Sequence, residues 1–260
     1  MTMGFDGRPL PTAQQLDLLS LLIDESGRRS SVQMSGAFGF AEGGVTPLGS
    51  LMQMGDAGLR LYLSLVAATR KDPHELWHRW PAAQLARMLG YDDSPRNDHG
   101  STGTRKIQRT LSALQNADEK FVTISKQPGY PDRITVNHIG EANMQPPYVT
   151  VGLDLWRQGW IVTMSKRALA VYLALRRECA GKEETAFQVT PRRRANYGMS
   201  SDTWSRGEND LAAYGLLHVT HEVMEDRKRD APSRSRRTYQ LNSSTLSESP
   251  AEVLRRRSVV

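Results

Sequence analysis

The sequence predicts a mainly α, α+β protein made of two copies of one helix-rich unit, each closed by a small β-hairpin. Three observations lead there. LRLYLSL at 59–65 recurs as LAVYLAL at 169–175, so that Leu59, Tyr62, Leu63 and Leu65 meet Leu169, Tyr172, Leu173 and Leu175 at an offset of 110. Pro81 meets Pro191 at the same offset, and Leu111 and Ala113 meet Leu211 and Ala213 at an offset of 100. Helix and turn signals then follow in one order in both copies. A period near 100 residues is that of a duplicated domain, not of a solenoid unit.

The second copy is the clearer. Ser165 caps a helix running to about Cys179, whose apolar residues are Leu169, Tyr172, Leu173 and Leu175. AFQV at 186–189 is a short strand candidate. Thr190 caps the next helix, with Pro191 at the first position, where a missing N–H costs nothing; this helix stops near Tyr197–Gly198. Ser200 caps a third helix that turns Trp204, Gly207, Leu211 and Tyr214 inward and ends at Gly215. Leu216–Met224 and Arg237–Leu241 form a hairpin.

The first copy repeats the order. Its helices are Ala57–Arg70, Pro81–Leu89 and Thr102–Asp118, the last with Thr104, Ile107, Leu111 and Leu114 inward. Phe121–Ser125 and Arg133–Asn137 form the hairpin around a Pro128–Gly129 turn. About ten extra residues belong to Asp92–Gly103, polar and aperiodic, and read as a loop.

These elements divide the chain into an N-terminal segment (1–55), a first domain (56–139), a linker (140–147), a second domain (148–243) and a flexible basic tail (244–260). The N-terminal segment holds a capping box, Thr12 to Gln15, ahead of the leucine-rich LDLLSLLI at 16–23. That helix either packs back on the first domain or joins two chains in a homodimer. GAFGFAEGG at 36–44 has no strand leading into it and reads as a linker rather than a dinucleotide fingerprint.

Composition narrows the function. Lys and Arg number 34 against 28 Asp and Glu, a net charge of +6. The segments 1–55, 56–147, 148–243 and 244–260 carry −2, +2, +5 and +1, which assigns the larger share of sequence-independent affinity for a polyanion to the second domain. One cysteine excludes an internal disulfide and a multi-Cys metal site, and fits a reducing compartment. No apolar run approaches the roughly 20 residues of a membrane span, and the first residues lack a secretory signal, so a cytoplasmic, nucleoid-associated protein with no membrane partner is expected.

The order helix, strand, helix, helix, hairpin, with Tyr-Gly-Leu-Leu-x-Val at 214–219, resembles the winged helix-turn-helix. LWRQGWI at 155–161 ahead of the second copy is similar to tandem winged-helix proteins of actinobacterial plasmids and integrated elements, among which are plasmid replication initiators. The resemblance covers about 57–241. It implies two tandem winged helix-turn-helix domains on double-stranded DNA, the third helix of each in the major groove and each hairpin wing on the flanking backbone. Residues 57–138 and 148–242 are expected to superpose as two winged-helix domains, and one continuous core, or a parallel sheet, would count against that expectation.

On that resemblance the groove candidates are Arg105, Lys106, Arg109 and Thr110 in the first copy, together with Thr104 one turn earlier. In the second they are Ser201, Asp202, Thr203, Arg206, Asn209 and Asp210. Lys106 and Arg206 share one helix slot, as do Arg109 and Asn209. Arg to guanine and Asn to adenine are the forked pairings the major groove allows. Arg192, Arg193 and Arg194 open a helix against its dipole, which binding of a phosphate offsets. The wing carries Arg227, Lys228, Arg229, Arg234, Arg236 and Arg237.

Other chemistries find less. His74 and His78 have helical ligand spacing but no acidic or Cys partner, and His218 and His221 fall on opposite strand faces. Cys179, Trp156, Trp160, Trp204 and Tyr62 read as core. The expectation is a non-enzymatic transcriptional regulator without cofactor. The alternatives are a replication initiator that recruits replication machinery, and a winged-helix protein-interaction module.

Overall fold

The computed structural model describes residues 5, 9–41, 45–76, 80–91, 101–126, 132–138, 148–183, 185–224 and 234–257, with the side chains of 222–224 and 234–236 excepted. Helix α1 (Ala13–Ser26) starts at the expected capping box: Gln15 N–H donates to Thr12 Oγ1 at 3.3 Å, and Thr12 N–H to Gln15 Oε1 at 2.8 Å. Strand β1 (Ser31–Met34), a 3₁₀ turn at Gly36–Phe38 and α2 (Pro47–Gln53) follow. The first repeated unit is α3 (Asp56–Ala68), β2 (Glu75–Leu76), α4 (Ala82–Met88), α5 (Thr102–Asn116), β3 (Val122–Ser125) and β4 (Arg133–Val136).

Next come β5 (Val149–Gly152) and the short helices α6 (Asp154–Arg157) and α7 (Trp160–Thr163). The second unit is α8 (Lys166–Cys179), β6 (Phe187–Gln188), α9 (Pro191–Ala195), α10 (Ser201–Ala213), β7 (Leu217–Met224) and β8 (Arg234–Leu241). A 3₁₀ turn at Ser243–Ser247 and α11 (Pro250–Arg257) end the described chain.

The protein is mixed α+β, dominated by helices, with small antiparallel sheets. The two units have sheets of one design, β2-β4-β3 and β6-β8-β7, the hairpin's second strand lying in the middle of each. The helix caps fall where the sequence places them. Ser165 receives the Ala168 N–H at 3.0 Å, Thr190 that of Arg193 at 3.3 Å and Ser200 that of Thr203 at 3.1 Å. Ser101 caps α5, so the inserted loop stops short of 101–103, which begin that helix. No helix among the described residues is long and apolar enough to cross a membrane.

Three expectations are corrected, and one alternative, the role of the first helix, narrows toward packing within the chain. First, the two units do not have separate cores. One apolar cluster runs through α1, α3, α5, α6, α8 and α10. Polar contacts cross it: Arg60 in α3 donates to the Met164 carbonyl at 2.7 Å, and Trp156 Nε1 to Ser64 Oγ at 3.3 Å. Second, residues 1–55 are part of this body. A strand does precede the Gly-rich stretch, because β1 pairs antiparallel with β5, Val32 opposite Val151. Phe38 is buried and stacks on Tyr62 at 5.8 Å, so 36–41 is core rather than linker; residues 42–44 and the linker 140–147 lie outside the described residues.

Third, the apolar side of α1 is used within the chain. Leu19, Leu22 and Ile23 are buried, while Leu21 is 43% exposed, which removes most of the surface a homodimer through this helix would need. Fourth, the tail through 257 is ordered. Leu246 and Val253 are buried, and Arg257 donates to the Ala212 carbonyl at 2.9 Å near the end of α10, a favourable place for a cation.

Candidate nucleic-acid interface

Helix α10 lies against α8 through Trp204, Gly207 and Leu211. A Cβ on Gly207 would stand 2.6 Å from Val171 Cγ2 and 2.7 Å from the Arg167 carbonyl oxygen, so glycine is what lets the two helices approach this closely. Gly215, at φ +76°, then turns the chain into β7. The outward side of α10 exposes Ser201, Asp202, Arg206 and Asn209, with Thr203 half-buried. Thr203 serves the cap, its hydroxyl taking the Ser200 hydroxyl at 2.9 Å. Arg206 Nε donates to Asp202 Oδ1, one turn earlier, at 3.0 Å, and both side chains stay exposed.

In the first unit α5 buries Thr104, Ile107, Leu111 and Leu114 and exposes Arg105, Lys106 and Arg109. Two residues leave the expected interface. Thr104 is wholly buried, its hydroxyl accepting from Ser101 at 2.8 Å. Thr110 is buried with its hydroxyl on the Lys106 carbonyl at 2.8 Å. Lys106 is exposed in the helix slot that it shares with Arg206. Its ammonium lies 3.8 Å above the Tyr91 ring, where burial lowers its pKa. Arg105 and Arg109 have no ion-pair partner among the described residues, and α5 contains no acidic residue.

The arginine run of α9 does not form one clamp. Arg192 is exposed, Arg193 Nε donates to Glu178 Oε2 at 2.5 Å, and Arg194 Nε to the Val189 carbonyl at 3.3 Å. A five-residue helix sends consecutive side chains in different directions, so two of the three turn back onto the protein. In the wing, Arg227, Lys228 and Arg229 lie outside the described residues. Arg234 and Arg236 place their backbones on β8 opposite Met224 and Glu222, and Arg237 is held by Glu208 at 2.9 Å.

What the sequence reading misses is the set of carboxylates beneath this surface. Glu208 is buried on α10 and accepts the Trp204 indole N–H and, at 2.5 Å, the Tyr239 hydroxyl, in addition to Arg237. Burial, and then the Glu208 carboxylate, push the Tyr239 phenol up to about 12. Asp210, expected to face the groove, is also buried. It takes the fork of Arg167 at 2.6 and 3.1 Å and the Ser165 hydroxyl at 2.5 Å. The four-residue spacing of Trp204 and Glu208 places them on one helix face, the signal by which Glu208 was detectable.

Carboxylates engage part of the arginine in the second unit. In 148–243 Arg157, Arg167, Arg176, Arg177, Arg193, Arg206 and Arg237 all hold carboxylates. Of the residues expected to supply the backbone affinity of the second unit, Arg193 and Arg237 are held by carboxylates and Arg192 is exposed, while the side chains of Arg227, Lys228, Arg229, Arg234 and Arg236 lie outside the described residues. Elsewhere, His74 stacks on His138 at 4.0 Å while His78 lies outside the described residues. Burial and the neighbouring His74 lower His138 to about 4. Cys179, Trp156, Trp160, Trp204 and Tyr62 are buried, as core residues should be. The chain matches no family model, no curated protein and no solved structure.

Proposed function

We propose that the chain is a sequence-specific double-stranded-DNA-binding protein whose two repeated units are winged helix-turn-helix modules, and that it acts as a transcriptional regulator. One observation carries the reading. Each unit follows the order helix, strand, helix, helix, hairpin, with a sheet of the same strand order, and each offers a capped helix with one buried face and one polar exposed face. In that arrangement α5 and α10 are the groove helices, and Arg105, Arg109, Asn209 and the Asp202-bound Arg206 are the exposed residues placed to reach a base or phosphate. The test is binding of the full chain to a randomised duplex library across a series of salt concentrations. Enrichment of a defined sequence with salt-dependent affinity supports the proposal, and absence of any salt-dependent duplex binding refutes it.

The continuous core favours a second role on the same DNA-binding surface. Two unlike groove helices held in one body ask for an asymmetric site, whereas a symmetric dimer reads a palindrome. Directly repeated asymmetric sites are what a replication initiator of a plasmid or integrated element requires. One chain bound per direct repeat in DNA beside the coding region supports that role; binding only to palindromes refutes it.

A further inference from the structure

We infer that the two units divide the work of duplex binding: α5 grips the phosphate backbone, and α10 reads base edges through Arg206 held by Asp202. The inference rests on the DNA-binding reading above. It compares the two exposed helices: α5 presents two arginines with no ion-pair partner among the described residues, and α10 presents one arginine aligned by an aspartate.

The argument for α5 is electrostatic. Arg105 and Arg109 stand one turn apart on the exposed side, with Lys106 between them. Like charges four apart on a helix repel, and cations in the first turns oppose the helix dipole. No carboxylate on α5 relieves this, and neither arginine has an ion-pair partner among the described residues. Such a strip is unfavourable in the free protein and favourable against a polyanion. Two unpaired guanidiniums one turn apart present their forks to successive phosphates without depending on the base sequence.

The argument for α10 is the opposite. Its exposed side carries one cation, Arg206, and one anion, Asp202, in contact at 3.0 Å. A helix that only gripped backbone would be weakened by Asp202, since a carboxylate repels phosphate. Beside a base edge the same carboxylate has two uses. It engages Nε of Arg206 and so aims the terminal NH groups as a fork suited to guanine O6 and N7. Its free oxygen accepts from an amino group of a neighbouring cytosine or adenine. Asp202 is thus a positioning residue for Arg206 and a selector at the adjacent base pair.

The experiment uses the full chain, its selected duplex and a scrambled duplex of equal length, each titrated over a salt series. Thermal melting and an Arg105→Lys/Arg109→Lys control verify that the surface variants fold. Arg105→Ala/Arg109→Ala is expected to weaken both duplexes by a similar factor and to lower the magnitude of the salt slope by about 1.8, two contacts at ~0.9 each. Its preferred sequence should be unchanged, and the double-lysine control should keep the slope. Asp202→Asn is expected to lose about tenfold on the selected duplex, to relax the preference at one or two base pairs and to leave the scrambled duplex within about twofold. A uniform gain on both duplexes with Asp202→Asn, or an altered base preference with an unchanged slope for the alanine pair, overturns the division of labour while leaving DNA binding intact. Parent protein that binds neither duplex in a salt-dependent way overturns the DNA reading and this inference together.

Discussion

Replacing Gly207 by alanine probes the seam on which the placement of α10 depends. The new Cβ would sit 2.7 Å from the Arg167 carbonyl oxygen and 2.6 Å from Val171 Cγ2, against the 3.4 Å at which ordinary contact begins. Val171 can shift its methyl, but the carbonyl is backbone within α8, so α10 has to withdraw by about 0.7 Å or bend. Overpacking of this kind costs ~1–3 kcal/mol. Alanine returns about 1 kcal/mol through its better helix propensity. The net expectation is a loss of about 0–2 kcal/mol, or up to roughly 8 °C in Tm for a chain of this size. Gly152→Ala is the control. It has open space around it, and its change should be neutral or raise stability by ~0.5 kcal/mol. Urea unfolding followed by tryptophan fluorescence reads both, since Trp204 lies in the same seam. If Gly207→Ala is more stable than the parent by about 1 kcal/mol, the full helix-propensity gain, while Gly152→Ala behaves as stated, the close approach of α8 and α10 is not a real constraint.

Other outcomes follow from the same contacts. Glu208→Ala leaves Arg237 and the hydroxyl of Tyr239 without their carboxylate and should cost ~2–3 kcal/mol in urea unfolding, the lower range for a broken pair because Arg237 is partly exposed; a loss below about 0.5 kcal/mol contradicts the buried network. His138 is held neutral, with a folded pKa near 4 against an ordinary 6.5, so the unfolded chain binds more protons between those values. Its contribution is complete above about pH 6.5 and is lost as pH falls toward 4, with a slope of at most ~1.4 kcal/mol per pH unit. His138→Asn should flatten stability across that window, and an unchanged profile excludes the histidine as its source. Truncation after Ser247 removes buried Val253 and the Arg257 contact on α10 and should lower Tm by several degrees, where a loose tail would leave it unchanged.

The elements of the repeated units were legible because their signals are local. A serine or threonine cap, a glycine at a helix end and an apolar stripe at helical spacing need only their own neighbours, and the caps at Ser165, Thr190 and Ser200 fall where those signals place them. The pairing of β1 with β5 was not legible. Ser31–Met34 alternates for only four residues, and its partner lies more than a hundred residues away. The ordered tail was missed for a related reason: Leu246 and Val253 look sparse among polar residues, yet each fills a place that exists only once the rest of the body is assembled.

The candidate interface was misread at the residues whose polarity had two explanations. Asp202 and Asp210 lie on the same helix and look equally solvent-facing by residue type, but Asp202 is exposed while Asp210 lies under the fork of Arg167. Periodicity separates apolar from polar positions; it does not separate a polar residue that meets solvent from one that meets an arginine on the neighbouring helix. Lys106 and Arg206 make the same point across the repeat. Their shared slot is correct, but Tyr91 has no counterpart in the apolar matches between the copies, and it is the ring that draws the Lys106 ammonium to itself. The two copies therefore keep one arrangement of elements while presenting different charge on their exposed helices: arginines with no ion-pair partner among the described residues on α5, and a paired arginine and aspartate on α10. Packing holds the apolar stripe in both units because its loss would open the core. The polar face is not under that constraint, and there the two units are chemically different surfaces.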